Sequence, residues 1–190
     1  MGQGFSSTRK GAVLKVYYVG DELPVLDDQD LYLKNSIFLA GPTPRSEDVP
    51  TWRKEALRLL KESGFAGSVF VPETAVWGWL GDYDGQVEWE WKALGLSNCT
   101  LFWVPRDLKD MPAFTTNVEF GFMVALRPDM VVLGSPEGAP KLRYLHSLAN
   151  QIDRFHRFLG YDDEDLDPIP VVDSLEAALT RAMSVASSDE

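Results

Sequence analysis

The chain has 190 residues, 45% of them hydrophobic and 12% aromatic, enough to bury one sizeable core. A formal net charge of -11 argues against nucleic-acid polymers and membranes as partners, because both would call for basic patches, and favours a small-molecule ligand. The one cysteine, Cys99, excludes a disulfide within the chain and points to a reducing, cytoplasmic setting.

Residues 1–11 read as a flexible polar tail, although Met1-Gly2-Gln3-Gly4-Phe5-Ser6 also fits the loose N-myristoylation pattern. A folded domain is expected over 12–186, with residues 187–190 as a second frayed tail. Residues 12–19 alternate enough for a strand, and 20–30 form an acidic loop. Ser36-Ile37-Phe38-Leu39-Ala40 is a continuous apolar run, as expected of a central parallel strand covered on both faces, and it stops abruptly at Gly41-Pro42-Thr43-Pro44-Arg45. The spacing predicts an amphipathic helix over 51–63, with Trp52, Ala56, Leu59 and Leu60 on one face and Gly64 as its stop signal. Val69-Phe70-Val71 is the next strand. A loop over 72–85 then interleaves Trp77, Trp79 and Tyr83 with glycines and aspartates, a composition suited to covering an aromatic base, to packing, or to a subunit contact.

An acidic, aromatic helix over 84–96 contains Gln86-Val87-Glu88-Trp89-Glu90-Trp91, and an apolar strand over 99–104 follows it. A helix is predicted over 117–126, a strand over 130–133, and one or two helices over 141–158. An acidic linker over 161–170, a two-residue strand at Val171-Val172 and a closing helix capped by Ser174 complete the order. This alternation predicts an α/β, single-domain, doubly wound, flavodoxin/Rossmann-like fold: a mostly parallel sheet of about five strands flanked by helices. His146 and His156 lie ten residues apart, without the spacing of a helical metal site, and no metal or cofactor is expected. Cys99 reads as a small core hydrophobe rather than a nucleophile. No membrane span or secretory leader is expected.

The run Thr115-Thr116-Asn117-Val118-Glu119-Phe120-Gly121 places one carboxylate just past the loop that leaves the 99–104 strand. On position alone Glu119 would be a first-turn helix acid, favoured there by the helix dipole. Its company argues for more. In an open α/β sheet, ligands bind beyond the carboxyl ends of the strands, where this loop lies.

Three segments in this order, the Ala-Gly-Pro turn after Ala40, the acid on the helix before the central strand and Thr-x-x-Glu-x-Gly after it, resemble the nucleoside 2-deoxyribosyltransferase family and its wider "-like" branch over roughly 36–145. The resemblance implies N-glycosyl transfer on nucleosides or nucleotides, by a retaining mechanism through a covalent glycosyl-glutamate. It makes Glu119 the nucleophile. It makes Glu90, with Glu88 as the runner-up, the acid that protonates the departing base; the two alternate along a helix and cannot face the same way. Those residue types suit the chemistry, since an anion beneath the anomeric carbon stabilises an oxocarbenium-like state and a protonated group improves the leaving base. An N-glycoside hydrolase, or a non-catalytic nucleotide-binding module, are the alternatives.

The expected substrate contacts are Gly41, Pro42, Thr43 and Arg45 of the strand-end turn, Trp77 of the aromatic loop, and Thr116 and Asn117 beside the nucleophile. A side chain at Gly41 is expected to intrude on substrate while leaving the fold intact. Arg45 and Arg106, at strand ends, are phosphate candidates or else solvated loop charges. Classical transferases carry an aspartate six residues before the nucleophile and the related nucleotide hydrolases a serine; this chain has Ala113. Trp77, Trp79, Trp89 and Trp91 read as exposed aromatics, and with the resemblance they predict a homodimer or larger homo-oligomer.

Overall fold

The computed structural model describes residues 13–27, 29–76, 81–160 and 168–188. The N-terminal tail, most of the 161–170 linker, and Trp77 and Trp79 of the aromatic loop lie outside the described residues. Six strands, β1 (Lys15–Tyr18), β2 (Leu33–Ala40), β3 (Ser68–Val71), β4 (Ser97–Trp103), β5 (Val131–Gly134) and β6 (Val171–Val172), form one sheet in the order β1-β3-β2-β4-β5-β6. Every pairing between neighbours is parallel. The sheet is therefore all-parallel and doubly wound in the flavodoxin-like manner, with the two-residue β6 as its sixth strand.

Parallel strands need crossovers, and from β2 onward these run through helices, α1 (Trp52–Glu62), α2 (Tyr83–Leu96), α3 (Phe114–Leu126) and the pair α4 (Arg143–Asn150) and α5 (Ile152–Leu159), while α6 (Leu175–Ala186) follows the last strand. The chain first winds leftward from β2 through α1 to β3, then rightward through α2, β4, α3 and β5. Right-handed crossovers in opposite directions place their helices on opposite faces. The two cores report this. Ile37 and Leu39 of β2 and Cys99, Leu101 and Trp103 of β4 pack with α1 and α6. The alternate residues Phe38, Ala40, Phe102 and Val104 pack with α2, α3, α4 and α5. Burial on both faces is why these strands read as continuous apolar runs. Cys99 is fully buried among them, and burial pushes its thiol pKa up.

The winding reverses between β2 and β4, so their carboxyl ends diverge into a crevice at the topological switch point. The Phe102 and Phe120 rings meet edge to face with centroids 5.2 Å apart, which fixes α3 to the sheet one residue past Glu119. His156 of α5 is buried and its Nε2 lies 2.8 Å from the Val124 carbonyl of α3.

Two expectations need correction. Trp89 is buried, its indole N–H donating to the Asp21 carbonyl at 2.9 Å, because it sits on the sheet side of α2; Trp91, two residues on, is exposed. Helix α3 starts three residues earlier than the 117 expected, so Glu119 stands beyond the first turn and is not a dipole-favoured N-terminal acid. No helix among the described residues is long and apolar enough to cross a membrane.

Candidate active site

The first wall of the crevice is the turn that ends β2. Gly41 has φ +151°, a conformation L side chains rarely adopt, and an added Cβ there would collide with the Trp103 carbonyl oxygen and lie 2.8 Å from the Trp52 ring. Glycine is required because β2 and β4 approach closely, so a side chain meets protein rather than substrate. The expectation that Gly41 could be enlarged without harm to the fold is thereby overturned. Gly41→Ala should destabilise the protein by about 2–4 kcal/mol, from strain plus the clash. Gly95→Ala, in α2 with nothing within 4 Å of its would-be Cβ, should be neutral or better; urea unfolding compares the two.

The turn is held from below by α1. Arg53 is 1% exposed and donates from Nε to the Leu39 carbonyl (2.9 Å), from Nη2 to the Gly41 carbonyl (2.7 Å), and from Nη1 to the Pro42 carbonyl (3.2 Å), Thr43 Oγ1 (3.3 Å) and Glu73 Oε1 (2.5 Å). Thr51, the N-cap of α1, donates its hydroxyl to the same Glu73 oxygen at 2.9 Å, and Trp52 Nε1 donates to the Pro42 carbonyl at 3.1 Å. A fully buried guanidinium satisfied by carbonyls and one carboxylate is a rigid organiser. Sequence reading missed it. The signal was available, because Arg53 falls with Ala56 and Leu60 on the apolar face of α1, where a charge needs partners.

The second wall is built from α2 and α3. Glu90, half-buried on α2, accepts from Gln86 Nε2 one turn earlier at 2.9 Å. Burial raises its pKa above the usual carboxylate value, and the Gln86 hydrogen bond and the Arg53 charge oppose that rise. Glu119, half-buried on α3, is pushed up to about 7, first by burial and then by the Glu90 charge, with Arg53 opposing. The two carboxylates thus lie within each other's field and within that of Arg53. Glu88 does not join them: it faces solvent and pairs with Lys92 at 2.6 Å.

The remaining expected contacts have varied surroundings. Pro42 and Thr43 are bound into the Arg53 clasp, and Gly41 shares its carbonyl with it. Thr116 is buried on the sheet side of α3. Asn117 Oδ1 accepts from Arg106 Nη2 at 2.5 Å. Arg106 is no solvated loop charge: it is buried, also donates to the Lys141 carbonyl at 2.7 Å, and ties the start of α3 to the segment before α4. Ala113, preceding α3, adopts the left-handed conformation at φ 58°. Arg45 is exposed, donating to the Lys109 carbonyl at 3.3 Å, with its guanidinium 6.0 Å from the Phe114 ring. Trp77 lies outside the described residues. A groove of about 630 Å³ lined by Asp21, Trp89 and Lys92, and a cavity of about 130 Å³ lined by Thr43, Arg53 and Glu73, flank the crevice; neither is lined by Glu90 or Glu119. The carboxylates mark the candidate site because two half-buried acids with raised pKa values are costly unless used.

Chemically, two half-buried acids, one acting on the other through its charge, keep a proton to higher pH than isolated carboxylates would. One member is then an anion and the other an acid, the two states that N-glycosidic cleavage demands. No curated protein matches the chain. A family model described as "Nucleoside 2-deoxyribosyltransferase like" matches residues 34–137, more than half of the chain, from the start of β2 to the loop after β5. That span contains the β2 turn, Arg53, Glu90 and Glu119, and on this match the chain belongs to the nucleoside 2-deoxyribosyltransferase-like family.

Proposed function

We propose that the protein cleaves the N-glycosidic bond of a nucleoside or nucleotide and passes the sugar to a second base, through a covalent ester on Glu119. The observation that carries this reading is the pair of half-buried carboxylates, Glu119 and Glu90, interacting at the switch point of a family member's sheet. Glu119 attacks the anomeric carbon from one side of the sugar. The carbon–nitrogen bond breaks, its electron pair goes to the base, and that nitrogen takes the proton of Glu90. Glu90, now a carboxylate, removes a proton from the incoming base, which displaces Glu119 and restores the original configuration. With water as the acceptor the same steps amount to hydrolysis.

Incubation with a panel of nucleosides and their 5'-monophosphates, with and without a second free base, tests the reading. A new nucleoside supports transfer, a released base alone supports hydrolysis, and no cleavage of any member contradicts both.

The pair also predicts a pH profile. Below about pH 7 the pair holds one proton, resting mainly on Glu119, and the reactive form is the tautomer in which that proton has passed to Glu90 and left Glu119 an anion, so kcat/KM should fall as pH rises through about 7, where the proton leaves the pair, and should fall again in acid as the second proton binds. The sign for stability follows. Because the folded pKa of Glu119 is raised from 4.5 to about 7, the folded state binds the extra proton between those values. Its stabilising contribution is complete below about pH 4.5 and is lost as pH rises through about 7. Glu90→Gln removes the neighbouring charge and should move the remaining Glu119 titration to lower pH, read by carbon-13 NMR of the glutamate carboxyls.

A further inference from the structure

We infer that Arg106 is a positioning residue for Glu119, acting through the backbone at the start of α3, and that it is not a phosphate ligand. This role rests on the reaction proposed above. Among the described residues, Asn35, Ala113 and Lys141 are the non-glycine residues with positive φ, a conformation that strains any residue carrying a Cβ. Arg106 holds the carbonyls of two of the three. Its Nη1 donates to Lys141 at 2.7 Å, and its Nη2 reaches Ala113 at 3.5 Å and donates to Asn117 Oδ1 at 2.5 Å. Strained backbone persists only where its surroundings over-determine it, and here one rigid, planar guanidinium spans the segment before α4 and the first turn of α3.

The start of α3 has no other fastening of this kind. Ala113 precedes the helix without a side-chain cap, so the place where α3 begins is set by the Arg106 bridge. Glu119 therefore stands between two anchors: the bridge on its N-terminal side and, one residue on, Phe120 packed edge to face on Phe102. Without the bridge the first turn can shift and carry the carboxylate off the line of attack, and a misplacement of about 1 Å can lower a rate about a hundredfold. The charges that act on Glu119 are those of Glu90 and Arg53, so Arg106 reaches it through the chain and not through its field. A phosphate ligand would present its fork to the crevice. Arg106 is 6% exposed, both of its terminal nitrogens already donate to protein acceptors, and its Nε is buried with no partner among the described residues. A guanidinium kept for stability alone would not strand a buried donor; one kept for placement can.

The test compares Arg106→Gln, Arg106→Lys and the double variant Arg106→Gln with Ala113→Gly against the parent protein, on a nucleoside and on its 5'-monophosphate. Arg106→Gln should lower kcat about a hundredfold on both substrates, with KM within about threefold of the parent value. Arg106→Lys should lower kcat as well, because an ammonium cannot span the two acceptors, and it carries the comparison if Arg106→Gln fails to fold. Glycine takes a φ of 58° without strain, so the double variant should recover kcat about tenfold. Leu179→Ala, a buried truncation in α6 on the other face of the sheet, should lower the melting temperature and leave kcat unchanged, which separates placement from stability. Hydrogen exchange needs no activity. The amides of Val118 to Gly121, the first to be hydrogen-bonded within α3, should exchange at least about tenfold faster in Arg106→Lys, while those of α1 should not change. A parent protein that cleaves nothing would sink the proposed reaction and leave the exchange rates to decide the role of Arg106. A defect confined to KM for the monophosphate would make Arg106 a phosphate ligand. An unchanged kcat, a double variant without recovery, or unchanged exchange at 118–121 would each overturn the positioning role.

Discussion

Glu119→Gln is expected to lower turnover by at least about a thousandfold with little change in substrate binding. The amide preserves the size of the side chain and most of its hydrogen bonding, but it supplies neither the anion that stabilises the oxocarbenium-like state nor the oxygen that bonds to the anomeric carbon. Glu90→Gln should behave differently. Its defect should shrink for nucleosides whose base leaves readily, because a general acid matters in proportion to the leaving group's need for a proton. Steady-state rates for both variants against bases of graded acidity check this. Equal defects for every base in Glu90→Gln would remove it from the acid role.

Arg53→Met should cost about 3–5 kcal/mol of stability, the largest effect expected outside the catalytic pair. The methionine fills much of the volume, but Glu73 loses its cation, and the Leu39 and Gly41 carbonyls lose their donor. A partly buried carboxylate is then left with the Thr51 hydroxyl and no cation, and two backbone acceptors each lose a donor in a packed region. Arg53→Lys should recover little, since an ammonium cannot reach carbonyls fanned across a guanidinium's width. Adding Glu73→Gln to Arg53→Met should recover part of the loss by removing the stranded charge. Urea unfolding of the three variants reads these differences, and a loss under about 1 kcal/mol for Arg53→Met would show that the clasp is dispensable.

How far the sequence could be read depended on how local the governing physics is. The central strands β2, β4 and β5 were legible because burial on both faces writes continuous apolar runs. Helix α1 was legible from its apolar spacing and the Gly64 stop signal. Glu88 and Glu90 were separable by helical periodicity, and the structure leaves one in solvent beside Lys92 and half-buries the other beside Gln86. The start of α3 was not legible. Ala113 takes a left-handed conformation with no side-chain cap, and Phe114-Thr115-Thr116 offers no helix-start signal. The roles of Arg53 and Arg106 were legible only in part: the apolar face of α1 marks Arg53 as a charge that needs partners, but the partners of both arginines are backbone carbonyls and side chains contributed by other elements, which local pattern does not name. Trp89 and Trp91 looked alike in a helix with little amphipathic contrast, and only the placement of α2 on the sheet separates them.

The most direct test uses a 2-deoxy-2-fluoro-arabino nucleoside, whose fluorine destabilises the oxocarbenium-like state and slows release of the sugar from the enzyme. Under the proposed mechanism the ester accumulates, and mass spectrometry of a proteolytic digest should find one sugar added to the peptide holding Glu119. The adduct should be absent from the Glu119→Gln protein. A sugar mapped instead to Glu88 or Glu90, or base release by the parent protein with no adduct on any peptide, would contradict nucleophilic attack by Glu119.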